Sequence, residues 1–143
     1  MAFVAPRVAS ATIYTVSPGD NLSTAIGKLK AGDVLYLADG QYDLTSTLEV
    51  KCQGDADHMI TIAAADGAKP VIDFRGQALG ANGIKVGGRY LHIRNLTIRY
   101  AGKKGIWLEG AKYCVLEQLD VYGCCDSGIQ LRSGGHNTAV NCD

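Results

Sequence analysis

The sequence predicts an all-β fold: a right-handed parallel β-helix, a solenoid behind one short N-terminal amphipathic helix. Three observations predict it. The phrase Gly-Ile-x-Val/Leu recurs at almost constant spacing, as Gly83-Ile84-Lys85-Val86, Gly105-Ile106-Trp107-Leu108 and Gly128-Ile129-Gln130-Leu131. Sliding the sequence by the same step, so that Leu91 falls on Cys114 and then Asn137, places Ile93 on Leu116 and Ala139, Leu96 on Leu119 and Cys142, and Ile98 on Val121. Apolar positions thus meet apolar positions. Finally, no segment after Asp33 carries the apolar period of a helix. A unit of two or three short strands cannot bury its apolar side alone, but stacked units can. A leucine-rich repeat of similar length would need a leucine-heavy frame that is missing here.

The elements follow in order. The leading "MAFVAPRVASA" is a poor signal peptide, because its apolar run is short, is interrupted by Arg7 and has no basic segment before it. Thr12–Val16 predicts a strand, ended by Pro18-Gly19. Asp20 is the expected N-cap of a helix whose Leu22, Ile26 and Leu29 form one apolar stripe, with Gly32 as its stop. The first coil of a β-helix exposes its apolar interior and unpaired backbone groups, so this helix reads as a lid. One domain, 1–143, is expected, with the cap over about 12–33 and coils over about 34–143. Val34–Tyr42, Met59–Ala64 and Lys69–Phe74 predict strands. In the repeats, side-chain alternation sends Ile84 and Val86 inward and stacks Lys85, Trp107 and Gln130 on the outside of one sheet. Asn95, Gln118 and Asn141 share one repeat position, and an inward amide ladder is expected there.

Lysine plus arginine (14) equals aspartate plus glutamate (14), so no basic field is available for nucleic acid. No apolar run approaches the ~20 residues of a membrane-spanning helix. The five cysteines (52, 114, 124, 125 and 142) match no zinc spacing and read as buried thiols, with one disulfide of unassigned pairing left open.

The stretches "LSTAIGKLKAGDVLYLADGQY", "MITIAAADGAKPVID", "YLHIRNLTIRYAGKKGIWL", "DSGIQL" and "HNTAVNCD", in this order, resemble right-handed parallel β-helix polysaccharide lyases, most closely the family 9 pectate lyases. The first two occur broadly among β-helix proteins, alginate and chondroitin lyases included. The last three are more specific. The resemblance implies calcium-assisted β-elimination on a pectic polyuronate, with a lysine as the base. It also implies an acidic plant cell-wall polysaccharide as partner and a secreted, periplasmic or cell-surface location. In the family the calcium-binding aspartates and the base lysine follow a segment like Asn141-Cys142-Asp143. The resemblance therefore implies calcium as cofactor but assigns no metal ligand and no catalytic residue to this sequence. The expectation is an N-terminal portion of a lyase, truncated at its C-terminus and inactive alone.

Asp120 and Asp143 occupy one repeat position and are both expected to point outward. They are the candidate substrate-binding residues, with Arg99 or Arg132 nearby. Asp126-Ser127 reads as a turn, and His58, His92 and His136 as structural or exposed. Trp107 and Tyr100 are candidates for stacking on sugar rings. The alternative reading is a non-catalytic short β-helix that binds glycan or associates end to end through an uncapped C-terminal coil.

Overall fold

Leu35, Ile62, Ile93 and Leu116 lie in one register row, each fully or almost fully buried, and this row is the spine of the molecule. A computed structural model describes residues 11–143; the leading peptide lies, but for Ala11, outside the described residues. The chain runs β1 (Ile13–Val16), α1 (Leu22–Gly27), β2 (Val34–Leu37), β3 (Gly40–Asp43), β4 (Leu48–Val50), β5 (Ile60–Ala64), β6 (Pro70–Asp73) and β7 (Ile84–Val86). It continues through β8 (Leu91–Arg94), β9 (Thr97–Arg99), β10 (Ile106–Leu108), β11 (Ala111–Lys112), β12 (Val115–Glu117), β13 (Asp120–Tyr122), β14 (Ile129–Leu131), β15 (Gly134–Gly135) and β16 (Thr138–Val140).

Every named strand pairs in parallel. The first sheet has the order β1-β2-β5-β8-β12-β16, the second β3-β6-β9-β13 and the third β4-β7-β10-β14. A small pair, β11-β15, forms the corner between the third sheet and the first. Six strands in the first sheet mark six passes of the chain, which is the parallel β-solenoid the repeat predicts. Successive coils are not equally long. Val34 pairs with Thr61 and Thr61 with His92, whereas His92 pairs with Val115 and Val115 with Thr138, so the chain takes more residues to complete the early passes than the later ones. Loops lengthen the early coils, and the repeat becomes legible in sequence only from Gly83.

The interior is filled by alternate residues from all three sheets. Tyr42, Ile72, Ile98 and Val121 form the inner row of the second sheet, and Ile84 with Ile106 and Val86 with Leu108 line the third. Close coil contact demands small residues at the corners. A Cβ on Gly88 would collide with the Cys52 carbonyl oxygen, so no larger residue fits there unless the backbone moves. The buried Asp33 carboxylate accepts from the Thr12 and Lys30 N–H groups at 2.9 and 2.8 Å, fastening the start of β1 to the turn after α1.

Three expectations are corrected. The helix is shorter than 20–32: its cap is Asn21, whose Oδ1 accepts from Thr24 N at 3.0 Å, and it ends at Gly27. Asp20 instead accepts from Ser17 N and closes the preceding turn. Leu22, Ile26 and Leu29 are buried as the stripe predicts. Val34–Tyr42 is two strands, not one, because Gly40 takes φ of 126° and turns the chain from the first sheet into the second. Asn95, Gln118 and Asn141 form no inward ladder. Their backbones are left-handed (φ 58°, 51° and 50°) and their side chains exposed. The constraint at this position is the turn between sheets, which asparagine tolerates better than most residues. Other amides do bridge coils: Asn137 accepts from Cys114 N at 3.0 Å and donates to Ala111 O at 2.9 Å, and Gln77 accepts from Gly102 N at 3.0 Å.

Candidate functional site

The outer face of the third sheet carries the strongest candidate site. Strand alternation exposes the middle residue of each short strand, and parallel register stacks these residues into a row of Glu49, Lys85, Trp107 and Gln130. The Lys85 ammonium sits 5.4 Å from the centre of the Trp107 ring, a cation over an aromatic face. Trp107 Nε1 and Gln130 Oε1 are both covered yet have no hydrogen-bond partner. A buried polar atom without a partner costs free energy, and both atoms lie beneath the surface of the row rather than open on it. At the flanks Lys51 pairs with Glu49 at 2.8 Å, and Lys104 pairs with Asp126 at 2.8 Å. The Lys104 ammonium holds the Asp126 carboxyl below its usual range.

Asp120 and Asp143 lie on the second sheet, not on this face. Asp120 opens β13 in register with Thr97, and both aspartates are exposed. The Asp143 N–H donates to Leu119 O and the Asp143 carbonyl accepts from Val121 N, which places Asp143 one coil above Asp120. The structure does not bring Arg99 to them. Its guanidinium is engaged by Asp73 Oδ2 (2.8 Å), Tyr122 Oη (3.1 Å) and Gln41 Oε1 (2.8 Å). Arg132 follows β14 on the third sheet. Tyr100 already has cationic neighbours, with the Arg75 and Arg99 guanidinium carbons 4.3 and 5.3 Å from its ring centroid. His58 pairs with Asp55 and His92 with Glu117, as structural histidines do. All five cysteines are free, and burial pushes the Cys52 thiol up to about 11.

A calcium site needs about six to eight oxygen ligands. Among the described residues no three of His, Cys, Asp and Glu gather in a way that could hold a metal ion. Asp120 and Asp143 alone do not fit calcium, and no chemical step is assigned to a cation held by these residues.

Sequence reasoning missed one arrangement. Tyr90, Tyr113 and His136 recur at the step of the repeat and stack in a column, with ring centroids 4.8 Å apart from one ring to the next. The signal was one position before Leu91, where the repeat alignment began.

The continuous parallel register and the outward row on the third sheet can be set beside known proteins. The sequence profile described as Pel9A-like, right-handed β-helix region matches residues 2–143. The chain belongs to this family. A relative named pectate lyase L from Paenibacillus polymyxa (strain SC2) is 28% identical over 124 residues, covering 84% of this chain and 27% of that protein. Among solved structures, pectate lyase Pel9A superposes with a TM-score of 0.72 at 20% identity, covering 94% of this chain and 48% of that one. An alginate lyase from Paenibacillus sp. str. FPU-7 superposes with a TM-score of 0.80 at 24% identity, covering 92% and 44%. These structural likenesses show the fold. The chain spans about a quarter of the named curated relative and about half of each solved structure.

Proposed function

We propose that these coils are the polysaccharide-binding part of a lyase acting on an acidic, pectate-like glycan outside the cell, with the chain laid along the third sheet. The observation that supports this is the row Lys85, Trp107 and Gln130, which offers a cation for a uronate carboxylate beside an aromatic ring and an amide. Calcium-assisted β-elimination is the reaction proposed for the whole protein, by family membership. It is assigned to the part of such a lyase that these residues do not span. For Asp120 and Asp143 the proposal is narrower. Two carboxylates in one row repel uronate, so they would accept hydrogen bonds from sugar hydroxyls.

Trp107 is the single tryptophan, so its fluorescence reports directly on the proposed face. Titration with polygalacturonate should change the emission, and Lys85→Ala should weaken binding roughly tenfold, about 1.4 kcal/mol. Asp120→Ala, on the second sheet, should leave the Trp107 response unchanged and remove only a contact made by glycan that extends beyond the third sheet. With calcium added, the chain should release no unsaturated uronide. Turnover would place catalytic groups inside these coils, and an unresponsive Trp107 would remove the binding role.

A further inference from the structure

The corner between the third sheet and the first carries a second constellation. Tyr90, Tyr113 and His136 all have left-handed backbones (φ 52°, 55° and 58°), which turn the three rings the same way. The rings are nearly parallel, tilted by 7° and 2° at successive steps. The residue before each ring is Arg89, Lys112 or Gly135, and parallel pairing brings these into register. Arg89 and Lys112 are exposed, and neither side chain has an ion pair or hydrogen-bond partner among the described residues. The third position is empty: a Cβ on Gly135 would meet nothing within 4 Å. The result is a cleft of about 370 Å³ lined by Arg89, Lys112, Tyr113, Gly134, Gly135 and His136, with no carboxylate in its wall.

Two unpaired cations side by side repel each other, and an anion between or along them relieves that repulsion. Coil spacing sets the backbones that carry the two cations ~4.8 Å apart along the axis, and their side chains can reach carboxylates at a similar interval. A glycan with one carboxylate per sugar, lying along the axis, meets them in sequence. The guanidinium can take a carboxylate in a two-point hydrogen bond, the ammonium as a point charge. We infer that this corner is a second acidic-glycan site, in which Arg89 and Lys112 take the carboxylates of adjacent uronate residues and the Tyr113–His136 column forms the rigid wall. It is separate from the Lys85–Trp107 face and rests on the reading that the substrate is a polyuronate.

The test is a backbone-amide NMR titration of the full chain with trigalacturonate, with its neutral methyl ester, and with inorganic sulfate at matched ionic strength. Trp107 fluorescence is followed in parallel. Trigalacturonate should shift the amides of Arg89, Lys112, Tyr113 and Gly135, and the methyl ester should not. Arg89→Gln with Lys112→Gln, both at exposed unpartnered side chains, should weaken the corner response tenfold or more and leave the Trp107 response intact. Equal shifts from the methyl ester or from sulfate would overturn a uronate site. So would a corner response that survives the double substitution. A silent corner with a responsive Trp107 would remove this inference and leave the proposed function standing, whereas silence at both would remove both.

Discussion

Asp73 is only 3% exposed and its two oxygens have different partners: Oδ1 accepts from Arg75 N and Oδ2 from Arg99 Nε, each at 2.8 Å. Burial opposes its ionisation, but the Arg75 N–H and the Arg99 guanidinium more than offset this and hold its pKa below the usual carboxylate value. The folded state therefore binds its proton less readily than the unfolded chain. The stabilisation is present above the unfolded value of about 3.9 and is lost as pH falls through the lower folded value. Asp73→Asn should lower the urea midpoint at neutral pH, since the guanidinium loses its charged partner. It should also flatten the acid limb, so that the two proteins converge as Asp73 becomes protonated. Parallel curves down to low pH would mean that Asp73 contributes nothing pH-dependent. The same guanidinium reaches back to Gln41, and so ties β3, β6 and β9 across the outside of the second sheet. A fixed repeat frame cannot show that link, because the early coils are longer than the repeat.

Among the elements, α1 shows what so short a helix can and cannot do alone. A helix of less than two turns is unstable in isolation and persists by packing. Leu22 and Ile26 bury against the open end of the solenoid, over Leu37, Leu48 and Val50. Ile26→Ala should therefore destabilise the protein by about 2–5 kcal/mol, measured as a drop in urea midpoint with unchanged slope. Asn21→Ala removes only the cap and should cost about 1 kcal/mol. A smaller loss from Ile26 than from Asn21 would mean that capping, not burial, holds the helix. The stripe Leu22, Ile26 and Leu29 was legible because burial imposes the period; the helix ends were not, because several polar residues compete for the cap. The same division holds in the coils. Inward apolar residues and the outward row Lys85, Trp107 and Gln130 follow from alternation and register, which sequence displays. The amide position misled because asparagine serves both an inward ladder and a left-handed turn, and only backbone geometry separates them. The aromatic column stayed hidden because Tyr90 and Tyr113 are followed by His136, which matches them in ring shape and not in residue type.

At the scale of the whole molecule, backbone pairing joins each coil only to its neighbours, the Arg99–Gln41 side-chain link being an exception, so stability is close to a sum of coil and interface terms rather than a property of one core. Burial follows the position in the stack. The inner residues of β5 and β8 are sealed, with Ile60 and Leu91 both at 0% exposure. In β14 Leu131 is 46% exposed, and in β16 all three residues are exposed. Local opening should therefore cost least in the later coils, and amide exchange in this chain should be slowest in β5 and β8 and fastest in β14 and β16. Two substitutions separate this gradient from a single cooperative unit. Ile62→Ala removes a spine residue flanked by coils on both sides and should lower protection in β2, β5 and β8 by about 2–5 kcal/mol while β14 and β16, which open locally, keep their exchange rates. Val121→Ala sits under the later coils and should speed exchange in β13, β14 and β16 while β5 keeps its protection. If both substitutions lowered protection equally everywhere, the coils would unfold together, and the nearest-neighbour description would fail. The outcome bears on binding too. A polysaccharide bridging Lys85, Trp107 and Gln130 spans three consecutive coils, so under the nearest-neighbour description bound polygalacturonate should slow exchange in β14 most, where the unliganded chain is least protected.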